Sequence, residues 1–208
     1  MTIEDYILEH SQPESELLAR LDREANVKLL HPRMVSGHIQ GRLLSTISWM
    51  ISPRRILEIG TYVGYSAMCL AEGLAPDGKV ITIDIDDEIE DMAREYIAQS
   101  PYAEKIDFRI GDAVKLIPDI DEVFDLVFID GNKRDYIEYF ECVLPKVRKG
   151  GFILADNTLW AGKVTETPEN NDYQTKGLIA FNDFIAKDEI VDRFILPLRD
   201  GLTIMRVR

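Results

Sequence analysis

Cysteine, histidine and basic residues are all scarce in this chain, and each scarcity excludes something. Two cysteines, Cys69 and Cys142, are too few for a disulfide framework, and both fall in predicted helices, which points to reduced thiols. Three histidines, His10, His31 and His38, have no ligand spacing, so no soft-metal site is suggested by them. Only 24 Lys and Arg face 37 Asp and Glu, a formal net charge of -13. That balance argues against nucleic acid, whose phosphates demand a basic face, and disfavours anionic membranes. No run reaches the ~18 apolar residues that a membrane span needs. The first residues lack the basic start and apolar stretch of a signal peptide, so the expected address is cytoplasmic. Internal repeats, low-complexity tracts and linker-like stretches are also missing.

What is present is ordinary for a globular protein: 208 residues, 46% hydrophobic and 29% charged. That length predicts one domain over 1–208, with 1–52 a helical segment packing on a sheet core. Leu17, Leu18, Leu21 and Ala25 make one stripe of a helix that Pro13 separates from a shorter one. Leu43, Leu44, Ile47, Met50 and Ile51 make the apolar face of the next helix, which Pro53 ends. From Arg55 strands and helices alternate, as in a mostly parallel sheet. Strands are predicted at 55–59, 79–84, 106–110, 124–129 and 152–155. Tyr136, Ile137, Phe140, Val143, Leu144 and Val147 form the cleanest amphipathic helix, and Leu178, Phe181 and Ile185 mark the last one. Segments 192–196 and 202–207, joined by a short turn, must pair antiparallel. The fold class is therefore α/β: a Rossmann-like, seven-stranded, mostly parallel sheet closed by a C-terminal antiparallel hairpin.

The stretch Ile56-Leu57-Glu58-Ile59-Gly60-Thr61-Tyr62-Val63-Gly64-Tyr65-Ser66 reads as buried strand, glycine turn and helix start. Open α/β sheets bind ligands at such a junction. A dinucleotide fingerprint would need glycine at 62 and 65, where tyrosine stands. Glu58 before the first glycine suits a cationic ligand, and Glu58 with Gly60 and Gly64 looks like the first motif of class I S-adenosylmethionine-dependent methyltransferases.

Further strand ends carry suitable groups. Asp84 ends the second strand, where an acid accepts ribose hydroxyls, and Asp112-Ala113 ends the third, with Ile85 available to pack on an adenine face. Asp130 ends the fourth strand and Asp156-Asn157 the fifth; two carboxylates and an amide oxygen suit Mg²⁺, Mn²⁺ or Ca²⁺. Turn capping by Asx side chains is the competing account of each. Lys133 shares the loop after Asp130, where a neighbouring cation disfavours its ammonium form and leaves an amine able to take a phenolic proton. A solvated loop lysine is the alternative. Trp160 and Tyr173 lie after the fifth strand, where an aromatic substrate can stack.

With these residues assembled, nearly the whole chain resembles the metal-dependent catechol and caffeoyl-CoA O-methyltransferase family. The likeness rests on 57–66, on Phe128-Ile129-Asp130-Gly131-Asn132-Lys133, on Gly150-Gly151 leading to 156–164, and on Leu196-Pro197 with Asp200-Gly201-Leu202-Thr203. It implies that Met34, Ser36, Glu58, Gly60, Tyr62, Ser66, Asp84, Ile85, Asp112 and Ala113 line the S-adenosylmethionine site, with Asp130 as well. By the same likeness Asp130, Asp156 and Asn157 hold a divalent cation, Mg²⁺ first, while Lys133 is the base and Trp160 meets the substrate. The implied acceptor is a small aromatic diol, and a homodimer is expected. Gly131-Asn132 replaces the Ala-Asp common in plant members, Arg199 stands where a small residue is usual, and the longer plant substrate loop is missing. A nicotinamide oxidoreductase is opposed by Tyr62 and Tyr65, and a non-catalytic binding module by the full ligand set with Lys133.

Overall fold

The computed structural model describes residues 1–208, the side chain of Glu4 aside. Helices α1 (Ile3–Glu9), α2 (Glu16–Lys28) and α3 (Gly37–Ile51) precede the sheet. The sheet and its helices then alternate as β1 (Arg55–Ile59), α4 (Tyr65–Ala71), β2 (Lys79–Asp84), α5 (Glu90–Gln99), β3 (Ile106–Ile110) and α6 (Ala113–Leu116). They continue as β4 (Phe124–Ile129), α7 (Tyr136–Val143), β5 (Val147–Ala155), α8 (Tyr173–Lys187), β6 (Val191–Leu196) and β7 (Leu202–Val207). One seven-stranded sheet runs in the order β3-β2-β1-β4-β5-β7-β6. β7 is antiparallel to both β5 and β6, so the other six strands point the same way. The predicted sheet is thus present, and its order reverses beside β1, where β1 pairs with β2 on one side and β4 on the other. The carboxyl ends there diverge to leave a crevice.

Period-two alternation divides the core. Ile56, Leu126, Phe128 and Leu154 face a layer built from α2 to α5, with Leu21, Leu44, Leu70 and Tyr96 fully or nearly buried in it. Leu57, Ile59, Val127, Ile129 and Ile153 face α6, α7 and α8, where Tyr136, Phe140, Leu178 and Phe181 close the other face. Parallel strands covered on both faces read as near-continuous apolar runs, which is why β1 and β4 stood out.

Two expectations change. Of the predicted apolar face of α3, Leu44 is buried and Leu43, Ile47 and Ile51 pack half-buried against the core, while Met50 is 82% exposed. The face that meets α4 instead carries Gly41, Ser45 and Ser48. A Cβ on Gly41 would lie 2.7 Å from the Tyr65 ring, so the helices approach too closely for large side chains. The serine hydroxyls donate to the Cys69 and Leu70 carbonyls at 3.0 and 2.7 Å; the Cys69 carbonyl also accepts the Glu72 N–H, whereas the Leu70 carbonyl is one that the end of α4 leaves open. The predicted stripe of α7 also overruns: the helix stops at Val143, Pro145 sits in a tight turn over Leu144–Lys146, and Val147 opens β5.

Candidate active site

Gly60 leaves β1 at φ 100°, and a Cβ there would stand 2.4 Å from the Asp130 carbonyl oxygen. The loop can therefore cross the end of β4 only with glycine at this place. It then turns through Tyr62, itself at φ 46°, whose N–H donates to Asp84 Oδ2 at 2.6 Å. Asp84 Oδ1 accepts the Asp86 N–H at 3.0 Å, so this carboxylate orders its own loop as well as facing the crevice. Asp112 likewise caps α6 through the Val114 N–H and pairs with Lys115 at 2.9 Å. Ile85 is 74% exposed, an apolar side chain left bare where a flat ring would cover it.

One cavity of about 910 Å³ runs along these strand ends. Met34, Ser36, Gly60, Tyr62, Ser66, Asp84, Ile85, Asp112, Ala113, Asp130, Lys133, Asp156, Asn157 and Trp160 all line it. Glu58 does not, contrary to the expectation that it lines the site. It is fully buried on β1, directly across from Thr82 of β2 in the parallel register. The Thr82 hydroxyl donates to Oε2 at 2.5 Å and is itself 2.5 Å from the Thr61 hydroxyl, while Oε1 has no partner. An orphaned buried carboxylate oxygen behind the glycine loop is rare in a folded protein.

Burial pushes the Glu58 carboxyl up from 4.5 to about 8, against the opposing hydroxyls of Ser66 and Thr82. Between those two pH values the folded state holds a proton that the unfolded chain has released, so ligand-free stability falls as pH rises through the window. Glu58→Gln, neutral throughout, is expected to raise Tm relative to the parent at pH 8 and to leave it nearly level at pH 4.5. A Tm difference that is the same at both ends, measured by calorimetry, would mean the carboxyl keeps its charge when buried.

At the other end of the cavity Asp130, Asp156 and Asn157 meet. Asp156 is buried, and burial together with the Asp130 charge pushes its carboxyl up to about 6, with Lys133 and Gln40 opposing. Its Oδ2 accepts from Gln40 Nε2 at 2.7 Å, and its Oδ1 from the Asn157 N–H at 2.8 Å. Asn157 takes φ 57°, a left-handed conformation that asparagine tolerates. Lys133, only 8% exposed, donates to Asp130 Oδ1 at 2.7 Å and to the Tyr136 hydroxyl at 2.9 Å. It is therefore not a solvated loop lysine. The Tyr136 hydroxyl lies 3.1 Å from the Asp156 carbonyl oxygen; burial and the two aspartates raise its pKa well above the usual value, so it stays a neutral donor.

Among the described residues no three His, Cys, Asp or Glu side chains gather as a metal site. The donor set here is two carboxylates and one amide, all hard oxygen. Mutual repulsion of a buried carboxylate, Asp156, and a half-buried one, Asp130, is the condition that a divalent cation relieves, so the residues fit such an ion.

Gln40 and Tyr136 were not singled out from the sequence. Tyr136 counts there as core, although its place three residues after Lys133 on one helical turn is the signal that could have found it. Gln40 has no local signal at all. Tyr173 departs from expectation: it opens α8 outside the cavity lining, between Arg134 and Lys176, whose charges lie 5.2 and 5.7 Å from its ring centre. Gln174 lines the cavity instead. Trp160 is held by the closing hairpin, its backbone N–H donating to the Asp200 carbonyl at 3.1 Å.

Comparison with known proteins extends these observations. The O-methyltransferase family model matches residues 8–208. The chain is 33% identical over 216 residues to caffeoyl-CoA O-methyltransferase 1 of Arabidopsis thaliana, covering 97% of this chain and 82% of that one. The O-methyltransferase TomG of Streptomyces achromogenes, solved with S-adenosylmethionine, superposes with a TM-score of 0.91 at 30% identity, covering 99% of this chain and 95% of that one. An O-methyltransferase from Bacillus cereus, solved with S-adenosylhomocysteine, gives 0.92 at 29% identity, covering 99% and 97%.

Proposed function

The chain belongs to the O-methyltransferase family, and on that premise we propose that it moves the methyl group of S-adenosylmethionine to one hydroxyl of a vicinal aromatic diol, with the help of a divalent cation. The observation that carries this reading is the single cavity that joins two kinds of chemistry. Asp84, Ile85 and Asp112 offer polar and apolar partners for a nucleoside at one end; Asp130, Asp156, Asn157 and Lys133 gather at the other.

Asp130, Asp156 and Asn157 would hold the cation, Mg²⁺ first and otherwise Mn²⁺ or Ca²⁺. When bound, it supplies Lewis acidity that makes an acceptor hydroxyl easier to ionise. Lys133 takes the hydroxyl proton at Nζ, Asp130 and Tyr136 hold that nitrogen in place, and Trp160 offers a ring face to the acceptor. The bond between sulfur and methyl carbon breaks as the bond between acceptor oxygen and that carbon forms, leaving a neutral thioether. Joining a phenolate to a sulfonium destroys both charges, which a water-poor cavity favours.

Two adjacent oxygens would engage the Asp130 end of the cavity at two points and fix the ring; a lone hydroxyl would let it pivot. Catechol-type substrates are therefore expected to exceed their two monodeoxy analogues ~100-fold or more in kcat/KM, the scale of loss that misplacement brings. Equal values for all three, measured with saturating S-adenosylmethionine and Mg²⁺, would overturn the diol reading.

A further inference from the structure

Four cationic side chains line the cavity: Arg33, Lys115, Lys133 and Arg199. Lys115 pairs with Asp112 and Lys133 with Asp130, whereas Arg33 and Arg199 form no salt bridge among the described residues, and of these two only Arg199 is tied by hydrogen bonds to the Asp156 end of the cavity. In a chain with 37 acids and 24 bases a guanidinium at a cavity mouth has many possible partners, and this one keeps its charge open. Its backbone is unusual as well. Arg199 adopts φ 50°, a conformation that disfavours any side chain with a Cβ, in the turn between β6 and β7. A non-glycine residue kept at such a φ at a cavity rim points to a role for its side chain.

The guanidinium is aimed. Its Nη1 donates to the Ser36 carbonyl and, at 3.2 Å, to Gln40 Oε1. Gln40 in turn donates to Asp156 at 2.7 Å, and the carbonyl of the next residue, Asp200, holds Trp160. Arg199 thus flanks the Asp156 and Trp160 end of the cavity, the end remote in sequence and in strand order from Asp84 and Asp112. Nη2 and Nε have no protein partner among the described residues. Two parallel N–H groups of this kind match a carboxylate.

We propose that Arg199 recognises a carboxylate on the acceptor, so that this enzyme prefers aromatic diols bearing an acidic substituent over neutral ones. The assignment rests on the diol reading for the identity of the ring, but its test does not depend on turnover. Arg199 is exposed, so the preference weakens as ionic strength rises.

The experiment is titration calorimetry of a dihydroxybenzoate and its primary amide, matched in size, into the full chain with Mg²⁺ and S-adenosylhomocysteine. The acid is expected to bind ~10-fold tighter than the amide, the scale of one charge-assisted contact. Arg199→Gly suits the left-handed backbone and so avoids a folding defect; it is expected to bring the ratio near 1. Arg199→Lys should keep part of it. A ratio that survives in Arg199→Gly overturns the assignment. So does an equal loss for acid and amide, which would make Arg199 a clasp on Gln40, or a loss confined to S-adenosylhomocysteine, which would make it a cofactor contact. Methyl transfer to the same two ligands, assayed separately with S-adenosylmethionine in place of S-adenosylhomocysteine, decides the diol reading, since an enzyme that methylates neither ligand can still show or lack the binding ratio.

Discussion

Lys133→Ala is expected to slow methyl transfer ~10²–10⁴-fold while leaving S-adenosylmethionine affinity within a few fold. The loss follows from position. Lys133 lies between Asp130 and Tyr136, with Nζ at 2.7 and 2.9 Å from their oxygens, and it is one of the few charged side chains this chain buries. Burial costs a lysine its hydration, so retention at 8% exposure needs a compensating role, and proton transfer at the acceptor oxygen is the one proposed here. A purely electrostatic role, holding Asp130 in place, makes a different forecast. Arginine in place of this lysine keeps the charge and the ion pair but cannot release its proton at any working pH. Lys133→Arg is therefore expected to stay as slow as Lys133→Ala. Single-turnover rates at neutral and alkaline pH separate the cases: recovery in the arginine variant, or full turnover of the alanine variant at alkaline pH, would remove Lys133 as base.

Removing divalent cations is expected to abolish turnover, and Mg²⁺ or Mn²⁺ to restore it. Burial first, and then the neighbouring Asp130 charge, raise the Asp156 carboxyl to about 6, an arrangement that a bound cation would relieve. Gln40 supplies a second test that does not depend on turnover. It donates to Asp156 Oδ2 at 2.7 Å, and partners of this kind orient a ligand oxygen. Gln40→Ala is expected to weaken Mn²⁺ binding ~10–100-fold, read by the free-ion signal in electron paramagnetic resonance. Full activity in a metal-stripped preparation, with no measurable Mn²⁺ binding, would reduce Asp130, Asp156 and Asn157 to turn formers.

The sequence by itself determined the sheet and most of the cavity wall. Ile56, Leu57 and Ile59, then Leu126 to Ile129, are apolar on both faces because parallel strands are covered on both sides. The glycine at 60 and the acids at 84, 112, 130 and 156 were legible because each ends a strand, and strand ends of an open sheet share one crevice. Local pattern fails where contacts are distant. Gly41, Ser45 and Ser48 carry the α3–α4 contact, and no hydrophobic period marks a face made of small and polar residues. Glu58 was expected in the cavity, but alternation along β1 turns it inward against Thr82, a matter of strand register. Gln40 reaches Asp156 across 116 positions of chain, and Arg199 reaches Ser36 across 163. The first pair exists only after α3 has packed beside the end of β5, and the second only after the hairpin of β6 and β7 has brought its turn against the start of α3. A hydrogen bond between side chains so far apart leaves no spacing in the sequence, because it is set by where the backbone goes and not by the residues between.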